Sequence, residues 1–255
     1  MLFNETSFIG IDPNAGKWPM AYAALDRELR LIAMDTGDIE TITAYVAGQQ
    51  SAFVAITSPR RPNQGFMRQD EIRDRLNPVP RPGRWQGYRV AEYQLRQHNI
   101  QIMGTPREVE ECPQWMKIGF KVYRRLESMG SYDYPADEKS PQIMETYPHA
   151  VYTVLLGLSP YPKTSLEGRL QRQLALHNQG LDIPDPMRVF EEITRYRILK
   201  GMLELEGLFS PPMLDALASA YTAWVAATSP EETALFGHPD EGKIILPVAT
   251  LNEKY

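Results

Sequence analysis

A single cysteine, Cys112, in a chain of 255 residues excludes an internal disulfide framework and any cysteine-rich zinc site. The four histidines, His98, His149, His177 and His238, never fall into an H-x-x-x-H spacing, so a histidine-borne zinc centre is not expected either. No apolar run approaches the roughly 20 residues that span a bilayer, so no membrane partner is expected. Met1–Thr6 has neither the basic start nor the apolar stretch of a secretory leader, and the expected location is cytoplasmic. Lysine is missing from one long stretch: between Thr57 and Arg96 all nine cations are Arg, against four acids. That stretch carries a net +5 in a chain whose formal charge is −5. The overall negative charge argues against indiscriminate nucleic-acid binding. An arginine-only segment suits bidentate contacts to phosphate or carboxylate, and Arg60 and Arg61 at its start are candidate substrate contacts. A solvated, Pro-rich loop decorated with Arg is the other reading.

What is present is an ordinary globular composition, 43% hydrophobic and 23% charged, long enough for one large α/β domain over residues 1–255. Ser7–Ile11 is a short apolar run closed by Asp12-Pro13-Asn14, and it predicts a buried strand that ends in a turn. Met20–Leu25 and Leu29–Met34 flank Asp26-Arg27-Glu28 as two further antiparallel strands. Asp38 is a predicted N-cap for a helix carrying Ile39, Ile42, Tyr45 and Val46, followed by a strand at Ala52–Ile56. From about 58 to 88 Pro, Gly and Arg dominate, which predicts an inserted loop. Beyond it the pattern gives a helix over Arg89–His98 and a strand at Ile100–Met103. A helix from Pro113 to about Met129 and a strand at Gln142–Thr146 follow, and Pro148 opens a helix through Leu156. Helices at Lys163–His177 and Pro186–Leu205 make up a second insertion, about 163–209. A closing helix starts at Ser210-Pro211-Pro212, and a last strand covers Lys243–Leu246.

Three antiparallel strands, a helix and a parallel fourth strand predict a ribonuclease H-like mixed sheet with flanking helices. In that arrangement the first and fourth strands are neighbours, so Asp12 and Thr57 should end side by side. Two-metal phosphodiester hydrolysis needs three or four converging carboxylates. Asp12 at the tip of the first strand and Asp215 in the first turns of the closing helix are candidates; either could also be a plain turn or helix-start acid. Glu145, inside an apolar strand, is a third. Burying it requires a cation or an Arg beside it, unless it faces water on an edge. Lys163, in Tyr161-Pro162-Lys163, could neutralise a phosphate, and His149 could orient a carboxylate or phosphate. Thr57 stands where a fourth acid would be most useful, and its neutral oxygen is a weak metal ligand.

Gly10-Ile11-Asp12 with Gly16 and Trp18, Val54-Ala55-Ile56 before Ser58-Pro59, Glu145-Thr146-Tyr147-Pro148, Pro162-Lys163, Asp215-Ala216-Leu217-Ala218 with Ala220 and Ala223, and Gly242-Lys243-Ile244-Ile245-Leu246-Pro247 occur in one order along the chain. That ordered set, from about Ser7 to Pro247, resembles the domain-of-unknown-function family 429, whose members are described as predicted ribonuclease H-like nucleases. The resemblance implies that fold and a nuclease dependent on Mg²⁺ or Mn²⁺, with Asp12, Glu145 and Asp215 as metal-binding and catalytic residues. The family often has an Asp where this chain has Thr57, so no ligand is implied there. Nucleic acid held by the Arg-rich loop is the expected partner. The alternative is a non-catalytic nucleic-acid- or protein-binding domain with a degraded metal site.

Overall fold

The structure is a computed structural model and describes residues 6–14, 19–202, 205 and 207–255; Gly16 and Trp18 lie outside the described residues. β1 (Thr6–Asp12), β2 (Met20–Leu25) and β3 (Leu31–Gly37) form the antiparallel meander. Asp38 then caps α1 (Ile39–Ala47), its carboxylate accepting from the Thr41 N–H at 2.8 Å. β4 (Ser51–Ile56) returns parallel to β1, with Gly10 opposite Ala55 and Ile11 opposite Ile56. α2 (Asp70–Arg73), α3 (Val90–Gln97) and α4 (Gln114–Ser128) follow, then the two-residue β5 (Tyr132–Asp133) and β6 (Gln142–Glu145). α5 (Pro148–Leu156), α6 (Leu166–Asn178), α7 (Arg188–Glu192), α8 (Arg195–Leu199) and α9 (Pro211–Thr228) lead to the hairpin of β7 (Ala234–His238) and β8 (Gly242–Leu246). The strands make one mixed sheet of eight, ordered β3-β2-β1-β4-β6-β8-β7, with β5 beside β6. No helix among the described residues is long and apolar enough to cross a membrane.

Strand alternation sorts the core into two layers. Phe8, Ala55 and Met144 face α5, α6 and α9, where they meet Val151, Leu176 and Leu217. Ile9, Ile11, Val54, Ile56 and Ile143 face α1 and α4 and pack on Ile42, Val46, Val122 and Leu126. Each of these aliphatic side chains contributes roughly 1.5–3 kcal/mol by leaving water. The two helices nearest the strand ends approach very closely because glycine lets them. A Cβ on Gly10 would lie 1.8 Å from the Ala216 carbonyl oxygen of α9. One on Gly119 of α4 would lie 1.8 Å from Ser58 Oγ.

Several expectations change. Ile100–Met103 is not a strand: Ile100 and Ile102 point into the core as a strand's would, but among the described residues no strand pairs with them. The helix expected over Pro186–Leu205 is instead two short helices, because Ile193 is extended and the Thr194 hydroxyl accepts from the Arg197 N–H to start a new one. β5 and β7 had no clear signal, being short and partly exposed. The Pro/Arg-rich stretch is organised from within. Arg73 is buried and donates to the carbonyls of Met67, Pro80, Arg81 and Arg84, so this cation closes the loop on itself instead of facing a ligand.

Candidate functional site

The carboxyl ends of β1 and β4 open under α4 on one side and α9 on the other. Alternation along β1 sends Phe8, Gly10 and Asp12 toward α9, and the glycine there brings the helix start down onto the strand. Asp12 is 8% exposed and Asp215 6% exposed. As the strand order requires, Thr57 sits beside Asp12, and its hydroxyl donates to Asp12 Oδ1 at 2.7 Å. Lys163 reaches over from the loop before α6 and donates to Asp215 Oδ2 at 2.7 Å, with its own side chain 53% exposed.

These groups share a cleft of about 550 Å³. Asn14, Trp115, Tyr147, His149, Tyr161 and Arg172 also line it. Burial, then the nearby Asp215 charge, raises the Asp12 carboxyl from its ordinary value to about 6, against the smaller opposing effects of Thr57 and Lys163. Burial and the Arg172 charge push the His149 imidazole down, keeping it neutral at pH 7. Arg172 is almost fully buried, donates to the Tyr161 and Gly168 carbonyls at 2.7 and 2.9 Å, and lies over the Tyr152 ring. Its place in the cleft had no sequence signal beyond a cation inside a helical insertion. Trp115 and Tyr147 read equally well as core aromatics.

Glu145 is not in this cleft. It follows Ile143 by two and so takes the α4 side of the sheet, the opposite side from Asp12. Its carboxylate accepts from Arg89 Nη1 at 2.9 Å and from Arg89 Nη2, and it also accepts from the Arg60 backbone N–H at 3.3 Å. Arg89, 1% exposed, turns its Nε and backbone N–H to Glu92 at 2.9 and 2.8 Å. Glu241 closes the group by accepting from the Val90 and Gln64 N–H groups. Burial would lower the Arg89 guanidinium, but Glu145 and Glu92 outweigh it and hold it firmly charged. Glu145 therefore has the buried Arg partner that its sequence position demanded, and it does not converge with Asp12 and Asp215.

The proposed substrate cations divide in the same way. Arg60 is paired with Glu127 and Asp133. Arg61 donates to the Asp240 carbonyl at 3.3 Å and lines a separate groove along α4. Lys163 alone of the three stands in the cleft. Among the described residues no three of His, Cys, Asp and Glu gather closely enough to hold a metal ion. Asp12 and Asp215 remain the pair that could, with the Thr57 hydroxyl as a neutral oxygen beside them.

No curated protein and no solved structure matches the chain. Residues 10–241, a span that includes Asp12, Thr57, Lys163 and Asp215, match the family described as "Protein of unknown function (DUF429)". The chain belongs to that family.

Proposed function

We propose that the Asp12–Asp215 cleft is the active site of a phosphodiester hydrolase acting on nucleic acid with one Mg²⁺ or Mn²⁺ ion, on a ribonuclease H-like fold. The observation that carries the reading is the convergence of two buried carboxylates, one from the tip of β1 and one from the start of α9, with an exposed-stem Lys beside them. The sheet order, with β2 antiparallel between β3 and β1 and with β1, β4 and β6 parallel, supports the fold assignment. The donor set fits one hard cation and not two. Mg²⁺ is commonly held by one or two carboxylates, with water and substrate phosphate completing the shell. Burial first, and then the Asp215 charge, raise the Asp12 carboxyl, and Thr57 and Lys163 only partly offset them.

A bound ion would supply Lewis-acid polarisation of a phosphoryl oxygen. Lys163 supplies a second positive charge at the mouth of the cleft and can leave Asp215 for a substrate phosphate, because its stem is half in water. Arg172, fixed by two carbonyls, holds its charge on the wall. Trp115, Tyr147 and Tyr161 offer flat faces for bases.

The test is cleavage of labelled single-stranded DNA and RNA in millimolar Mn²⁺. Replacing a partner of a metal ligand typically costs 10–100-fold, so loss of a ligand in Asp12→Asn or Asp215→Asn should reduce cleavage about 100-fold or more. Glu145→Gln, if folded, should keep the ion dependence. Undiminished cleavage by Asp12→Asn protein would remove the assignment. A second reading, binding without hydrolysis, is favoured by Thr57 and by the ammonium already on Asp215. It requires that calorimetry detect no Mn²⁺ binding by the wild type.

A further inference from the structure

We propose that the groove along α4 is a binding site for the sugar-phosphate backbone of a single nucleic-acid strand, leading away from the Asp12–Asp215 cleft; the role as a flanking subsite rests on the hydrolase reading, while binding itself does not. The groove, about 410 Å³, presents Arg61, Lys117, Lys121 and Arg124. None of the four makes an ion pair with a carboxylate among the described residues: Lys117 and Arg61 donate to the carbonyls of Glu110 and Asp240. The neighbouring cations are neutralised, Arg60 by Glu127 and Asp133, and Arg125 by Glu40. Glu127, the acid on the groove's lining, is taken by Arg60, and four cations without an ion pair along one groove of a chain of net −5 favour an anionic partner.

The spacing favours a linear polyanion. Lys117, Lys121 and Arg124 follow one another at i, i+4 and i+7 on one side of the helix, about 10.5 Å from first to last at 1.5 Å per residue. That row of cations suits successive phosphates along one strand better than a single small anion. The groove and the cleft are lined by near neighbours on the same two segments. Gln114 lines the groove and its neighbour Trp115 lines the cleft; Thr57 lines the cleft and Arg60 the groove. A strand leaving the cleft between them would pass Trp115, a stacking face that an unpaired base can use and a duplex base pair cannot.

The experiment measures binding of a fluorescent 15-nucleotide single strand by anisotropy in EDTA, across a salt series. The double variant Lys121→Glu/Arg124→Glu changes two exposed side chains and is compared with Arg188→Glu/Lys200→Glu on the far insertion, each checked by circular dichroism. Removing two contacts should weaken binding at least about tenfold and flatten the log–log salt slope by about 1.4, at roughly 0.7 per single-strand phosphate. Equal loss in the control pair, an unchanged salt slope, or no binding by the wild type at low salt overturns the proposal. So does preference for a polyglutamate peptide or for duplex over the single strand. A wild type that binds through the groove without cleaving in Mn²⁺ removes the hydrolase reading and leaves the groove; one that cleaves but ignores the charge reversal removes the groove alone.

Discussion

Two clusters of buried acids sit at the carboxyl ends of the same sheet, one on each side of β4. Around Arg89, the carboxylates of Glu145, Glu92 and Glu241 are matched by a guanidinium and by backbone N–H groups from three segments, and every acid finds donors inside the protein. Around Asp12 and Asp215 the donors are the Thr57 hydroxyl, the Asn14 backbone N–H at 3.5 Å and one ammonium on a half-exposed stem, and the cluster faces a cleft. The closed cluster clasps the loop after β4, the start of α3, the end of β6 and the β7–β8 turn. The open one ties Asp12 to Thr57 and Asp215 to Lys163 and leaves both acids on the wall of the cleft. Burial alone does not separate a functional acid from a structural one; the completeness of its partners does.

The sharpest way to break the closed side is Arg89→Met. It leaves Glu145 and Glu92 buried without their cation, and removal of one member of a buried pair typically costs about 3–5 kcal/mol. Urea denaturation should show a loss of that size. If Arg89→Met is neutral, the distinction between the two clusters fails.

The open side should respond in the opposite sense. In metal-free protein the Asp12 carboxyl titrates near 6 folded and near 3.8 unfolded. The folded state therefore binds the proton more tightly between those values, and stability falls as pH rises from about 4 to 6, with the full cost present above 6. Asp12→Asn removes that cost while keeping an oxygen for the Thr57 hydroxyl. It should stabilise the apo protein above pH 6 by at most about 3 kcal/mol, the shift at 1.36 kcal/mol per unit, and by nothing below pH 4. Thermal melts in EDTA at pH 4 and pH 8 check this, and a variant less stable than wild type at pH 8 refutes it. An acid retained at a cost to stability is what the hydrolase reading requires.

Gly10→Ala tests whether the close approach of α9 is what builds the cleft. The added methyl must push the Ala216 carbonyl away, at roughly 1–3 kcal/mol for an overpacked core. The same displacement carries Asp215 from Asp12. Mn²⁺ binding should weaken more than stability alone explains, whereas the Arg89 cluster, across the sheet, should keep its protection in hydrogen exchange.

Much of this was legible in the chain. Short apolar runs bounded by turn residues and the Asp38 cap marked the meander, α1 and β4, and the order of those elements was enough to set Thr57 beside Asp12. Ser210-Pro211-Pro212 marked the start of α9, and with it the position of Asp215. The division between the clusters was hidden because it depends on pairings across long separations. Glu145 meets Arg89 over 56 residues, and the nine arginines between Thr57 and Arg96 look alike until Arg73 is found on four carbonyls and Arg60 on two acids. A sequence displays a charge but not the group that answers it. Ile100–Met103 failed for a related reason: the alternation was real, but a strand also needs an available edge.

The smallest effect in energy is the most discriminating for the open cluster. Lys163→Met removes an ammonium whose stem is half exposed, and a pair of that kind contributes about 1 kcal/mol or less to stability. The ammonium also lowers the Asp12 carboxyl, so its loss should move the apo titration of Asp12 above 6, visible in carboxyl-selective NMR. On the one-ion reading Lys163 competes with the cation for Asp215, and the variant should bind Mn²⁺ a fewfold more tightly by calorimetry. It should also hydrolyse more slowly, having lost the charge that meets the phosphate. Tighter binding with slower turnover assigns Lys163 to the substrate. Weaker Mn²⁺ binding would mean instead that the ammonium orients Asp215 for the ion, and the division of labour in the cleft would have to be redrawn.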